Sequence, residues 1–449
     1  MTSDEETVSL NISDALGIDG NYVSKEKFNN SLDDSQAVQE SVIDTRASNG
    51  PIPDGGLQAW LQVSGSFFLF MNSWGISNSF GVYQNYYVQN ALSNKSESDI
   101  AWIGSIQSSL LLFVGVITGP YFDQGCFRHL VMIGSFTVVL GMMMTSLGSQ
   151  YWHVMLSQAV LSGIGSGLLF IPSVAILPQY FTTKRSFATG ISASGSSIGG
   201  VIYPIMFHKL QPRIGFGWAT RAIAFMMLGT QLYAFSVMKC RALPSTKRSL
   251  IDKTVFSEPA FLSFSVASFF GFVGIYIPFY YIQPFAVSKG IFSESTAFWL
   301  LPILNAASTF GRVIPNRLAD KIGPLNVLVP FTVITMVIGF CWLSATTAVR
   351  IILIALFYGF FSGTFVSLPP SVAASLSPDL SLIGTRLGML FFFCAFGLLI
   401  GTPVAGALVR THAGYTAAVV FCGASVLASG FFILSTRLLK VGMTLKVKA

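Results

Sequence analysis

Charge is what this sequence most lacks. Only 10% of its 449 residues are Asp, Glu, Lys or Arg, against about 25% in an ordinary soluble domain. That excludes a water-facing globule of this size, whose surface could not be covered with ionised side chains. Cysteine is scarce too: Cys126, Cys240, Cys341, Cys394 and Cys422 show no metal-type spacing, which speaks against a zinc site and a disulfide framework. No G-x-x-x-x-G-K-[ST] loop occurs, so a primary ATP-driven pump is excluded. The four histidines, His129, His153, His208 and His412, are scattered and suggest no triad. "GSSIG" (Gly195 to Gly199) has the letters of a nucleophile elbow, but it sits inside an apolar helix without the strand–turn–helix context. Gly195 and Gly199 read better as a small-residue packing face. Nothing points to an enzyme, a cofactor, a metal or a nucleic-acid partner.

What is present is apolar. The chain is 52% hydrophobic with mean hydropathy +0.64, 40 Phe and 42 Gly, a composition for helices packed in lipid. Runs of about 20 apolar residues can cross a bilayer. Twelve are expected, at 58–83, 100–120, 130–149, 152–177, 186–207, 217–238, 260–284, 295–315, 326–345, 349–376, 386–409 and 415–437. The widest polar gap, 239–259, divides them six and six. The domains expected are therefore a disordered acidic cytosolic tail (1–54), a six-helix bundle (55–238), a cytosolic linker (239–259), a second bundle (260–438) and a basic cytosolic tail (439–449). Residues 1–54 carry a net charge of −8 and the remainder +15. The tail lacks a signal-peptide pattern, so the first helix is expected to direct insertion. With the N-terminus inside, the inner flanks hold 16 Lys and Arg and the outer flanks 6, as the positive-inside rule requires. Asn94 then lies outside in an "NKS" glycosylation sequon.

The two halves repeat. "GPYFDQGCFRHL" carries Asp123 after the second helix, and "NRLADKIGPLN" carries Asp320 after the eighth, 197 residues later. Arg185 opens the fifth helix and Arg386 the eleventh, 201 residues later. Paired halves with a site between them are a transporter architecture. At these residues the chain resembles the major facilitator superfamily, through the D-K-x-G loop and its degraded first copy. "PDGGLQAW" and "YFTTKRSFATGISASG" resemble the two signatures of the monocarboxylate porter family, and "LNAASTFGRVIPNRLADKIGPLN" and "SPDLSLIGTRLGM" its fungal branch. The resemblance covers residues 51 to about 437. It implies an all-α membrane protein of twelve transmembrane helices in two pseudo-symmetric six-helix halves.

Candidate site residues follow. Asn305, Ser308, Thr309 and Arg312 fall at i, i+3, i+4 and i+7 and make one polar stripe. Intramembrane charges usually face a cavity, although a residue near a helix end can also snorkel to the interface; both readings of Arg312 stand. In proton-coupled members of the family an Asp precedes this Arg by four residues and a Lys stands in the first helix. Those places hold Ser308 and, allowing one inserted residue, Asn78, so the resemblance implies that the anion-pairing Arg is kept while the proton-handling pair is replaced. Proton coupling is not assignable. The rest of the cavity is expected from Asn72, Asn78 and Gln84 on the first helix and Tyr276, Tyr280 and Gln283 on the seventh, the tyrosines serving either ligand contact or packing. In the superfamily the loop Asp meets a helix start in the other half, where the dipole is positive. Asp123 with Arg386, and Asp320 with Arg185, are accordingly expected to latch the cytoplasmic side. Lys184 and Lys321 read as positive-inside anchors. The expected function is secondary transport of an organic anion or small amphipathic metabolite across the plasma membrane, by efflux of a secondary metabolite or by import of a monocarboxylate or vitamin. A transporter-like sensor is the rival from another class.

Overall fold

Apolar runs separated by short polar turns give helices throughout, and every described element is helical. The computed structural model describes residues 52–241, 252–377 and 383–442, without the side chains of Asp123, Lys253 and Ile383. Most of the expected acidic tail (1–51), the middle of the linker (242–251) and the end of the basic tail (443–449) lie outside the described residues.

Among the described residues twelve helical passes follow one another. α1 is Gly56–Asn78, continued by Phe80–Tyr86. α2 is Glu97–Asp123, α3 is Phe127–Thr145 and α4 is Tyr151–Gln179. α5 and α6 are residues 185–214 and 216–237 of the run Arg185–Val237. The second half holds α7 (Pro259–Ser288), α8 (Glu294–Ile322), α9 (Pro324–Ser344) and α10 (Ala348–Leu376). It ends with α11 (Ile383–Val409) and α12 (Tyr415–Val441). Among the described residues nine helices are long and apolar enough to cross a membrane, α2 to α4 and α7 to α12. The other three carry polar residues in the membrane-length run: "GISNSFG" in α1, "GISASGSSIGG" in α5, and Thr220, Arg221 and Gln231 in α6.

Between α5 and α6 the chain turns on one residue. Gly215 has φ 78° and ψ 167°, a conformation that only glycine adopts freely. α6 then runs back beside α5's starting end, where the Tyr180 hydroxyl donates to the Lys239 carbonyl and Lys239 N–H donates to Gln62.

Packing repeats on moving six helices along. α1 lies against α5, with Gly75 on Gly199 and Gly195 on the Phe67 carbonyl, and against α6, where Gln62 donates to the Val237 carbonyl. In the second half α7 lies against α11, with Gly397 on the Phe269 carbonyl, and against α12, where Ser429 donates to the Ala267 carbonyl. Glycines at these crossings let backbones approach without a driving force from water. Two antiparallel seams then join the halves. On the α5–α8 seam Ser186 meets Asp320, Gly190 meets Asn316, Ser196 meets Arg312, Gly200 meets Asn305 and His208 stacks on Phe298. On the α2–α11 seam Ser98 donates to the Pro403 carbonyl, Ser105 touches Thr402, Ser109 donates to the Ala395 carbonyl and Phe113 packs on Phe392.

Candidate functional site

The first helix of each half is broken at mid-length. In α1 the break is at Ser79, beside Asn78; in α7 it is between Gly274 and Ile277. The second break has a plain cause. Pro278 has no N–H, so the Gly274 carbonyl one turn earlier loses its helical donor. Neighbouring helices supply substitutes: Cys422 Sγ donates to the Gly274 carbonyl at 3.4 Å and the Tyr358 hydroxyl to the Ile275 carbonyl at 3.1 Å. Such repair is what allows irregular backbone inside a membrane. Tyr276 stands in this break 198 residues after Asn78, so equivalent positions of the two halves carry the polar side chains.

Arg312 sits between the broken helices on the α5–α8 seam. It is 1% exposed, so it does not snorkel to the surface. Its Nε donates to Ser308 Oγ at 3.3 Å, and Nη1 to the Ala193 carbonyl at 3.2 Å and Ser196 Oγ at 2.6 Å. All three acceptors are neutral. Asn78 joins the same network by donating to the Ser196 carbonyl at 3.2 Å. The Tyr276 hydroxyl lies within electrostatic and hydrogen-bonding reach of the guanidinium. Trp74 stacks on the Tyr276 ring with centroids 6.1 Å apart, and Phe272 stacks on it at 6.3 Å.

Of the expected residues, the structure brings Ser308, Arg312, Asn78 and Tyr276 together, while Asn305 lies two turns earlier on the same helix, against Gly200. Tyr280 packs on Phe80 at 5.3 Å, one turn away. Gln283 is half-buried further along α7, with Oε1 unpartnered. Asn72 is not part of the cluster. It donates to the Thr230 hydroxyl at 2.9 Å and accepts from Tyr203 at 2.5 Å, tying α1 to α5 and α6. Sequence reasoning missed Trp74 and Ser196, because a stack and a seam are made by segments far apart in the chain.

At the end of the bundle that bears Asp320, its carboxylate accepts from the Ser186 and Phe187 amides, at 3.0 Å each. It therefore sits on the start of α5, directly after Arg185. Arg386 is placed differently from the expected pairing with Asp123. Its Nε donates to Asp252 at 3.0 Å, Nη1 to Glu258 at 2.7 Å and to the Leu376 carbonyl, and Nη2 to Glu258 at 2.5 Å and to Thr254. All five N–H groups are used by the end of the 239–259 linker and by α10, so no donor remains for Asp123, whose side chain lies outside the described residues.

This clamp has a counterpart 198 residues earlier, at Asp54. Asp54, with φ 50°, accepts from the Thr182 amide at 2.9 Å and from the Thr183 amide and hydroxyl. The Thr183 hydroxyl first, then the Thr182 amide, hold its carboxyl down at about 2. Burial pushes the Asp252 carboxyl up, but bonds from Thr254 and Arg386 outweigh it and hold it below the usual range. In both halves, then, an acid leading into the first helix holds the approach to the fifth: Asp54 binds Thr182 and Thr183 ahead of α5, and Asp252 binds Arg386 in the first turn of α11. The 198-residue offset was the sequence signal that could have found Asp252.

Residues 63–382 match the family model described as Major Facilitator Superfamily. The chain is 46% identical over 382 residues to the MFS-type transporter dbaD of Emericella nidulans, covering 85% of this chain and 86% of that one. It is 37% identical over 390 residues to the aspyridones efflux protein apdF of the same species, covering 87% and 80%. The crystal structure of the human organic anion transporter MFSD10 superposes with TM-score 0.66 at 14% identity, covering 84% of this chain and 100% of that chain.

Proposed function

Since the chain belongs to the major facilitator superfamily and is a multi-pass membrane transporter, not an enzyme, we propose that it carries an organic anion by alternating access, with Arg312 as the group that holds it. One observation supports this above the others. A guanidinium 1% exposed, surrounded by Ser308, Ser196, a carbonyl and the Tyr276 hydroxyl, has no carboxylate partner among the described residues. An uncompensated buried charge costs several kcal/mol, and an anionic ligand removes that cost.

The moving bodies in this reading are the halves 55–238 and 260–438, joined by 239–259 and rocking about the broken helices, where inverted or repeated halves usually place their sites. Asp320 on the α5 start closes one end, and that end is cytosolic by the charge count of the loops. Asn94, exposed in the turn between α1 and α2, then faces outside and is the glycosylation site. The direction proposed is outward, from the plasma membrane, because the relative apdF is named as an efflux protein. The monocarboxylate-porter signatures support that subfamily within this reading.

The test compares organic acids inside and outside cells that have or lack the chain. Loss of the protein should raise the internal level of at least one organic acid and lower its external level. Arg312→Ala should reproduce the loss. An unchanged balance of acids, or a change confined to neutral compounds, would overturn the anion reading.

A further inference from the structure

At the end of the bundle opposite Asp320, α2 begins with a closed cap. The Asp99 amide donates to Ser96 Oγ and the Ser96 amide to the Asp99 carboxylate, each at 3.0 Å. That reciprocal pair needs nothing from Glu97, which stands between them. Glu97 is half-buried. Its Oε2 is fully buried, and no hydrogen bond or ion pair reaches it among the described residues.

The surroundings of Glu97 come from the other half. Ser98, next along, donates to the Pro403 carbonyl at 3.0 Å. A Cβ at Gly406 would fall 3.1 Å from Ser98 Cα and 2.5 Å from the Tyr281 hydroxyl, so α2 is seated directly on α11 and α7. The Tyr281 hydroxyl is committed to the Thr402 carbonyl at 3.0 Å and lies within hydrogen-bonding reach of Gln84. Tyr281 on α7, Tyr415 at the start of α12 and Arg410 after α11 are within electrostatic reach of Glu97. Arg410 is exposed and shared with Asp99, while Lys95 is turned over the Tyr151 ring of α4 at 5.7 Å.

A carboxylate with a buried oxygen and no donor to it is costly as an anion. Protonated, it carries no charge into the seam and gains a donor of its own. The start of α2 and Arg410 favour the anion, but Arg410 faces water, which screens it. Parting α2 from α11 would hydrate Glu97 and remove the cost of its charge.

We propose that Glu97 is a proton-binding site that controls the outer end of the α2–α11 seam. With the proton bound the end stays shut; ionised, Glu97 favours its opening. This rests on the alternating-access reading and on Asn94 marking this end as external. Closing takes up a proton from the outer medium, so linkage makes the closed population grow as external pH falls.

The experiment uses the full chain in lipid nanodiscs, with Cys126, Cys240 and Cys341 changed to Ser. Spin labels go on exposed Ser149, between α3 and α4, and exposed Thr346, between α9 and α10. Double electron–electron resonance then measures the distance across the outer end. From pH ~5 to pH ~7.5 the long-distance population should grow roughly threefold or more. Glu97→Gln, neutral at every pH, should keep the short distance at both values, with an unchanged elution profile showing that it is folded. Arg410→Gln should move the change to higher pH. His208→Gln, which removes the imidazole stacked on Phe298 at the same end, should leave the response intact. Two populations that ignore pH, a response that survives Glu97→Gln, or one that His208→Gln abolishes overturns the assignment to Glu97. A single distance under every condition overturns the alternating-access reading instead.

Discussion

Arg312 shows how far a single residue can be read without its surroundings. The spacing of Asn305, Ser308 and Arg312 on one helical face was visible in the sequence, and the structure does place them on one face at the seam. What the spacing did not contain was the other half of the site. Ser196 lies in a Ser- and Gly-rich run where any hydroxyl reads as packing, yet its Oγ takes the shortest bond from the guanidinium, 2.6 Å. Asn72 shows the converse, since a polar residue on the expected face was absorbed by Tyr203 and Thr230. Arg312→Lys should lower transport at least tenfold and Arg312→Ala should abolish it, with normal membrane levels of both. The lysine keeps the charge, but it loses the planar fork that serves Ser308 and Ser196 together. Transport rates in vesicles check this; a lysine variant with full activity would mean that charge alone matters there.

Helices were easier to read than their interruptions. Each expected span falls on one of the twelve passes, because apolar length is a strong signal. The break in α7 was announced by Pro278, but that in α1 has no proline and follows from a run of Gly, Ser and Asn that reads equally well as helix. The lead-in acids were legible only after the fact. "PDGG" matched a family signature without saying what the Asp does; the structure gives it the Thr182–Thr183 turn. Its effect depends on acidity. Because the Asp54 carboxyl titrates at about 2 in the folded chain against 3.8 ordinarily, its stabilisation is complete above the higher value and is lost as pH falls through the lower. Pepsin cleavage after Phe181, normalised to a peptide substrate, should be slow near pH ~4 and several-fold faster near pH ~2. Asp54→Asn should be fast at both. A wild-type rate flat across this window would mean that the turn is held by something else.

For the whole molecule, the sequence supplied the symmetry and the structure corrected how it is used. Both loop aspartates were expected to pair with arginines across the halves. Asp320 meets a helix start across the seam, through the Ser186 and Phe187 amides, whereas Arg386 is consumed by Asp252 and Glu258 at the end of the linker. The difference was hidden because Asp252 and Glu258 sit in a polar stretch that reads as linker. Removing a carboxylate from a helix start costs about 1 kcal/mol, roughly a fivefold shift between two states. Asp320→Ala should therefore speed alkylation of a cysteine placed at Ser367, 2% exposed beside Asn316, in a background with Cys126, Cys240 and Cys341 changed to Ser. Unchanged alkylation would show that this contact does not hold the end shut.

The turn at Gly215 sets the kind of motion these parts can make. With a single residue between two membrane-length helices, the connection has no slack, so α5 cannot slide along α6 as a piston would. α5 carries both Ser196, which holds Arg312, and the amides that seat Asp320. Whatever displaces one of these contacts must tilt the α5–α6 pair as a lever and therefore displaces the other. In the alternating-access cycle proposed above, ligand and closure would be coupled through this stiff hairpin, which carries both contacts.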